Sequence, residues 1–224
     1  MAQTSFPARG GEIRPSPRPA AARSGPVVLM PRRVPGGVLA TLDALPAEAL
    51  PRMDYEGPVS GLRRAMRASL AARLPRPRWL ANWLLDDVLD HAALMAELTG
   101  APALRAVLDA PGGGPDRSFA AAAGRCRLVT AYRGAGFDWL PPRAAAGLPG
   151  GEAPPASLLR RLPRGDVAVF RGGADPGARG VAHRAASGPG TPLLLTIDAA
   201  GTVRRPAAAC AERPAGRGAA VAGG

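Results

Sequence analysis

This sequence predicts an α+β fold in which helices lead into an antiparallel β-sandwich or barrel. Three observations carry that expectation. From Val38 to Gly100 the apolar residues recur at helical spacing. Beyond Gly100 they fall in short runs, and Gly- and Pro-rich loops separate those runs. The ordered domain is expected at 36–202, helical over 36–100 and β-rich over 101–202. The end segments 1–35 and 203–224 are expected to be disordered basic tails.

The opening residues are rich in Pro, Arg, Ala and Ser, with almost nothing to bury. Val27-Val28-Leu29-Met30 is too short for a secretory signal, and Pro31 ends it. Pro15-Ser16-Pro17-Arg18-Pro19 favours polyproline II but reads as a linker. Residues 38–50 have short helical spacing, with Pro46 opening a second piece. Over 58–74, Leu62, Met66, Leu70 and Leu74 make an apolar face, with Arg63, Arg64, Arg67 and Arg73 elsewhere, until Pro75 and Pro77 stop the helix. The strongest helix is 78–100, where Trp79, Leu80, Trp83, Leu84, Val88, Leu94, Met95 and Leu98 repeat at helical intervals and Gly100 terminates it. The pair Trp79 and Trp83 is expected to fill a core. Strands are expected at 104–110, 125–132, 165–172, 180–185 and 192–201. Residues 111–116 read as a loop, and 137–142 follow the turn 133–136.

Only 44 of the 224 residues are Leu, Ile, Val or Phe, so the core has to be concentrated in part of the chain. Ala (48), Gly (29), Arg (29) and Pro (26) dominate and lysine is absent. That is the codon bias of a GC-rich bacterial genome, and part of the +12 net charge reflects it. Eight of the twelve excess charges lie in the two end segments, and the middle holds 19 Arg against 15 acids. The body is therefore not an evident nucleic-acid platform. No run approaches the ~18 apolar residues of a membrane span, and with no secretory signal the expected location is the cytoplasm. Two cysteines, Cys126 and Cys210, exclude a disulfide scaffold and a four-cysteine zinc site. Cys126 alternates with apolar neighbours and is expected to be buried and inert.

Common catalytic signatures are missing. There is no G-x-S-x-G elbow, no H-E-x-x-H and no C-x-x-C, and a Walker loop is impossible without lysine. The two histidines are His91 and His183. Asp87 and His91 are one helical turn apart and could form a two-ligand clip, but no third ligand is suggested. The alternative is a solvated acidic face of Asp86, Asp87 and Asp90.

The β-rich half carries a more specific signal. Thr130, Tyr132, Gly134, Gly136, Trp139, Leu140 and Pro141, then Gly165-Asp166-Val167 and His183-Arg184, stand in an order that resembles the bacterial family catalogued as domain of unknown function 1826. The resemblance spans roughly 79–198. It implies a double-stranded β-helix, cupin or jelly-roll-like, similar to metal oxygenases with a His-x-Asp on an early strand, a later His and then an Arg. It also implies a link to metal homeostasis, with a protein partner in metal handling. Two imidazoles and one carboxylate would hold one face of an octahedral metal, and the Arg would pair with a co-substrate carboxylate.

This chain departs from that layout. Ala120 stands where the first His belongs, Ala122 where the Asp belongs, and Pro192 where the Arg belongs. Asp116 is four residues too early to be a simple substitute. Only His183 remains. The resemblance therefore implies a pseudoenzyme with no metal and no cofactor, and His183, Arg184, Tyr132 and Asp166 are the candidate binding residues at the barrel mouth. Three functions stay open: a catalytically degenerate binding or accessory protein, an iron/2-oxoglutarate-like oxygenase with non-standard ligands, and a nucleic-acid binder acting through its Arg-rich tails.

Overall fold

Among the described residues, helical spacing turns into three α-helices that cover one face of a β-sheet. In the computed structural model, described here for residues 25–111, 118–122, 124–142, 154–174 and 180–200, α1 spans Gly36–Ala44, α2 Val59–Arg73 and α3 Arg78–Thr99. Leu62, Met66 and Leu70 of α2 face inward at a spacing of four, as do Leu80, Leu84 and Val88 of α3, and Met95 follows two turns after Val88. Gly100 ends α3 in the left-handed region (φ 64°), its N–H reaching the Ala96 carbonyl at 2.8 Å.

Among the described residues ten strands form two antiparallel sheets. In chain order they are β1 Val27–Met30, β2 Met53–Gly57, β3 Leu104–Asp109, β4 Ala120–Ala121 and β5 Cys126–Arg133, then β6 Phe137–Leu140, β7 Arg160–Leu162, β8 Val167–Arg171, β9 Ala182–Ala185 and β10 Leu193–Ala199. The large sheet has the order β1-β8-β5-β10-β3-β2 and the small sheet β4-β9-β6-β7. Gly134 and Gly136, at φ 94° and 95°, turn the chain from β5 in one sheet to β6 in the other.

Strand alternation divides the core in two. Leu128 and Tyr132 of β5, and Leu193, Leu195 and Ile197 of β10, pack against the helices in the larger cluster. The intervening Val129 and Ala131, with Ala168 and Phe170 of β8, point the other way and meet Phe137 and Leu162 of the small sheet. The large sheet is thus covered by helices on one face and by the small sheet on the other.

Several expectations need correcting. Residues 27–30, assigned above to the tail, form β1: Val28 and Met30 pack on the larger core, and the strand pairs with β8 from Val27↔Phe170 to Met30↔Val167. Trp79 is 49% exposed and does not share a core with Trp83, because the inward face of α3 is set by Leu80 and Leu84. Trp83 instead meets Tyr132 edge-on, ring centroids 6.0 Å apart. Cys126 is only partly buried, against the larger core. Residues 1–24 and 201–224, with Cys210, and residues 112–117, with Asp116, lie outside the described residues.

Candidate functional site

The position of His183 is set by strand register. On β9 it is paired with Ala120 of β4 on one side and Trp139 of β6 on the other. Residues paired across antiparallel strands share a face, so Ala120, His183 and Trp139 form one row across the small sheet. His183 and Trp139 face the large sheet, while Ala120, on the edge strand of the small sheet, is exposed. His183 is 5% exposed, its ring centroid lies 4.8 Å from Phe170 of β8, and Trp139 lies 6.1 Å from the same phenyl ring.

The chemistry of His183 follows from this burial. Desolvation pushes its pKa down from the ordinary imidazole range, against the raising effect of the Val181 carbonyl 2.9 Å from Nδ1. For Nδ1 to donate to that carbonyl it must carry the proton, which leaves Nε2 as the ring's acceptor. The opposite charges of Arg127 and Asp198 also reach the imidazole. These two are cross-strand partners on β5 and β10, joined by two bonds of 2.9 and 2.8 Å, so the Asp198 carboxylate is already engaged.

A facial metal set does not fit these residues. Ala120 puts a methyl group opposite His183, and Ala122, one residue past the end of β4, is buried without a donor atom. Among the described residues no group of three His, Cys, Asp or Glu side chains is placed to hold a metal ion. Pro192, at the position where the resemblance implies an arginine, packs against the turn glycine Gly134.

The other candidate residues are distributed by the same alternation. Arg184, next to His183, points to the opposite face of the small sheet. There its Nε lies 3.7 Å from Asp138 Oδ2, and its guanidinium stacks 4.4 Å from the Phe119 ring centroid. Arg161 donates to the same buried Asp138 at 3.0 and 2.9 Å. Tyr132 faces the helices, so it does not join His183.

Tyr132 and Asp166 instead meet in a second cluster, one that the sequence did not reveal. The Tyr132 hydroxyl donates to Asp87 Oδ2 of α3 at 2.7 Å. Arg32 grips the same carboxylate through both Nη atoms, Nη2 at 3.0 Å from Oδ2. Its Nε donates to the Gly165 carbonyl at 2.6 Å and its backbone N–H to Asp166 Oδ1 at 3.1 Å. His91 Nε2 stands 3.3 Å from Asp87 Oδ2, one helical turn along α3. Burial works to raise the pKa of Asp87, but His91 and Arg32 outweigh it and hold the carboxyl well below the ordinary range. The acidic run of α3 is therefore split: Asp86 and Asp90 are exposed while Asp87 turns inward. With its oxygens occupied by Arg32 and Tyr132, Asp87 is not half of a metal clip. No local signal marks Arg32, which lies 55 residues from Asp87 in a Pro- and Arg-rich stretch.

Fold and site together define an α+β protein whose two antiparallel sheets enclose a single buried imidazole. The chain belongs to the family described as "Protein of unknown function (DUF1826)", whose model matches residues 22–198. No curated protein matches it. Among solved structures it is similar to the rice dioxygenase for auxin oxidation, with TM-score 0.40 and 15% identity over 74% of this chain and 70% of that one. It is also similar to the Arabidopsis thaliana dioxygenase for auxin oxidation 1 with 2-oxoglutarate bound, with TM-score 0.44, 9% identity and coverage of 73% and 75%. A third is the non-heme α-ketoglutarate-dependent epimerase SnoN of nogalamycin biosynthesis, with TM-score 0.33, 19% identity and coverage of 79% and 78%. No helix among the described residues is long and apolar enough to cross a membrane.

Proposed function

We propose that this chain is a catalytically degenerate barrel of double-stranded β-helix type that works as a binding or accessory protein. The order of strands supports the barrel: from β3 to β10 the chain visits the large sheet, the small, the large, the small twice, the large, the small and the large again. One observation carries the functional reading: Ala120 is in register with His183. A position that could bring a ligand beside the imidazole holds a methyl group. What the row retains is one acceptor, His183 Nε2, and one donor, the indole N–H of Trp139, which has no partner among the described residues. Such a pair can hydrogen-bond a small polar group, but it supplies no carboxylate and no second imidazole. A protein partner in metal handling is the one the family resemblance implies.

Elemental analysis tests the reading. Purified protein, equilibrated anaerobically with micromolar Fe(II) or with Zn(II) and then freed of excess, is expected to retain far less than one equivalent. Retention of about one equivalent per chain, lost in His183→Ala, would overturn the proposal in favour of an oxygenase-like enzyme with non-standard ligands.

A further inference from the structure

The positive charge of the folded body is gathered in one place. Between Glu56 and Asp86 the chain carries Arg63, Arg64, Arg67, Arg73, Arg76 and Arg78 and no acidic residue. These residues lie on α2, on α3 and in the corner between them, and all six are exposed. Arg73 is tied to the Glu48 carbonyl at 3.1 Å. The other five have no hydrogen bond or ion pair among the described residues. Elsewhere in the described body, by contrast, several arginines meet a carboxylate: Arg105 with Asp54, Arg127 with Asp198, Arg161 with Asp138 and Arg164 with Asp43.

This basic face contains a groove. Leu70, Leu74 and Leu85 form its floor, and Arg67, Arg78 and Asn82 stand on its walls around a cavity of about 240 Å³. Trp79, which follows Arg78 in sequence at the start of α3, leaves its indole half exposed. Arg side chains around an apolar pocket are among the usual anchors of protein interfaces.

We propose that the α2–α3 groove docks an acidic amphipathic helix of another protein, one apolar side chain entering the slot while carboxylates meet Arg63, Arg67 and Arg78. Charge complementarity selects the occupant. Residues 1–24 carry four Arg against Glu12 and residues 203–224 four Arg against Glu212, so the chain's own end segments are repelled. A second copy presenting the same face across a two-fold axis would bring a matching set of arginines. The cavity is smaller than the roughly 300–1,000 Å³ of small-molecule sites but suits an anchor side chain from a helix laid in a groove. Nucleic acid fits less well, because Trp79 is the only exposed ring among the described residues and a stacking platform needs several. The inference is independent of what the His183 chamber binds.

Fluorescence anisotropy with the full chain tests it. The probe is a labelled synthetic helix with Glu on one face and Leu at helical spacing on the other. The controls are the same peptide with Ser for Leu, a single-stranded oligodeoxynucleotide, and phosphatidylserine-containing vesicles. The Glu/Leu helix is expected to bind, and the double variant Arg67→Glu with Arg78→Glu to weaken it about tenfold or more. Ala71→Trp, which fills the groove from an exposed position, should weaken it while leaving circular dichroism and Tm unchanged. Equal binding of the Ser control or the oligonucleotide, insensitivity to Ala71→Trp, or capture by vesicles alone would each overturn the proposal.

Discussion

Replacing Asp87 with Asn should be among the most damaging isosteric changes available to this protein. The substitution keeps the shape of the side chain but removes the negative charge that Arg32, Tyr132 and His91 share. The Asp87 and Arg32 side chains are 12% and 22% exposed, so water can screen the stranded guanidinium only in part. Removing one partner of a buried pair costs about 3–5 kcal/mol, and the exposure of Arg32 brings the expectation down to about 2–4 kcal/mol. Urea denaturation followed by far-UV circular dichroism should show a lower midpoint at unchanged slope. The pH dependence has a definite sign. Because the folded-state pKa of Asp87 is depressed, its stabilisation is complete above the unfolded carboxylate value of about 4. It is lost as pH falls below that value toward the folded pKa. The gap between wild type and Asp87→Asn should therefore be full at neutral pH and shrink below about pH 4. The double change Asp87→Leu with Arg32→Met should cost less than the sum of the single changes, since no buried charge is then stranded. A loss under about 1 kcal/mol, or a gap that persists unchanged into acid, would mean the cluster behaves as a surface ion pair and the reasoning is wrong.

Other expectations follow from single positions. Gly136→Ala should cost more than about 1 kcal/mol in urea denaturation, because φ is +95° there and an added methyl would run into the Leu162 carbonyl; a neutral result would contradict the β5–β6 turn. His183→Gln should flatten the acid side of the Tm–pH curve. The folded pKa of His183 is lowered, so its neutral form is favoured above the unfolded value of about 6.5, and stability is lost as pH falls below it. Unchanged curves for wild type and variant between pH 8 and 5 would remove His183 from the buried chamber.

How much was legible in the sequence depends on the range of the signal. The helices α2 and α3 were, because Leu62, Met66, Leu70 and Leu80, Leu84, Val88 carry the inward face at a fixed local spacing. The strands β5, β8 and β10 were too, since β8 is a continuous apolar run, β5 nearly so, and β10 buries Leu193, Leu195 and Ile197 in alternation. The edge strands were not. In β2, Met53-Asp54-Tyr55-Glu56 does alternate, but Pro51 and Pro58 bracket it like a loop, and β7 presents two arginines before Leu162. β1 sits between Pro26 and Pro31 and becomes a strand only because β8 offers it an edge. His183 was identified from motif order, and the register with Ala120 bears on the same position. The Arg32–Asp87–Tyr132 cluster had no local trace, because its members come from β-strand, helix and linker and meet only after folding.

Restoring the missing side chains tests the central reading most directly. Ala120→His with Ala122→Asp adds an imidazole to the residue paired with His183 and a carboxylate two positions on. Equilibrium dialysis against Fe(II) or Zn(II), followed by elemental analysis, should find about one equivalent of metal per chain. That uptake should disappear when His183→Ala is added, and neither single change should produce it. A double variant that keeps the wild-type circular dichroism and Tm yet takes up no His183-dependent metal would contradict the account.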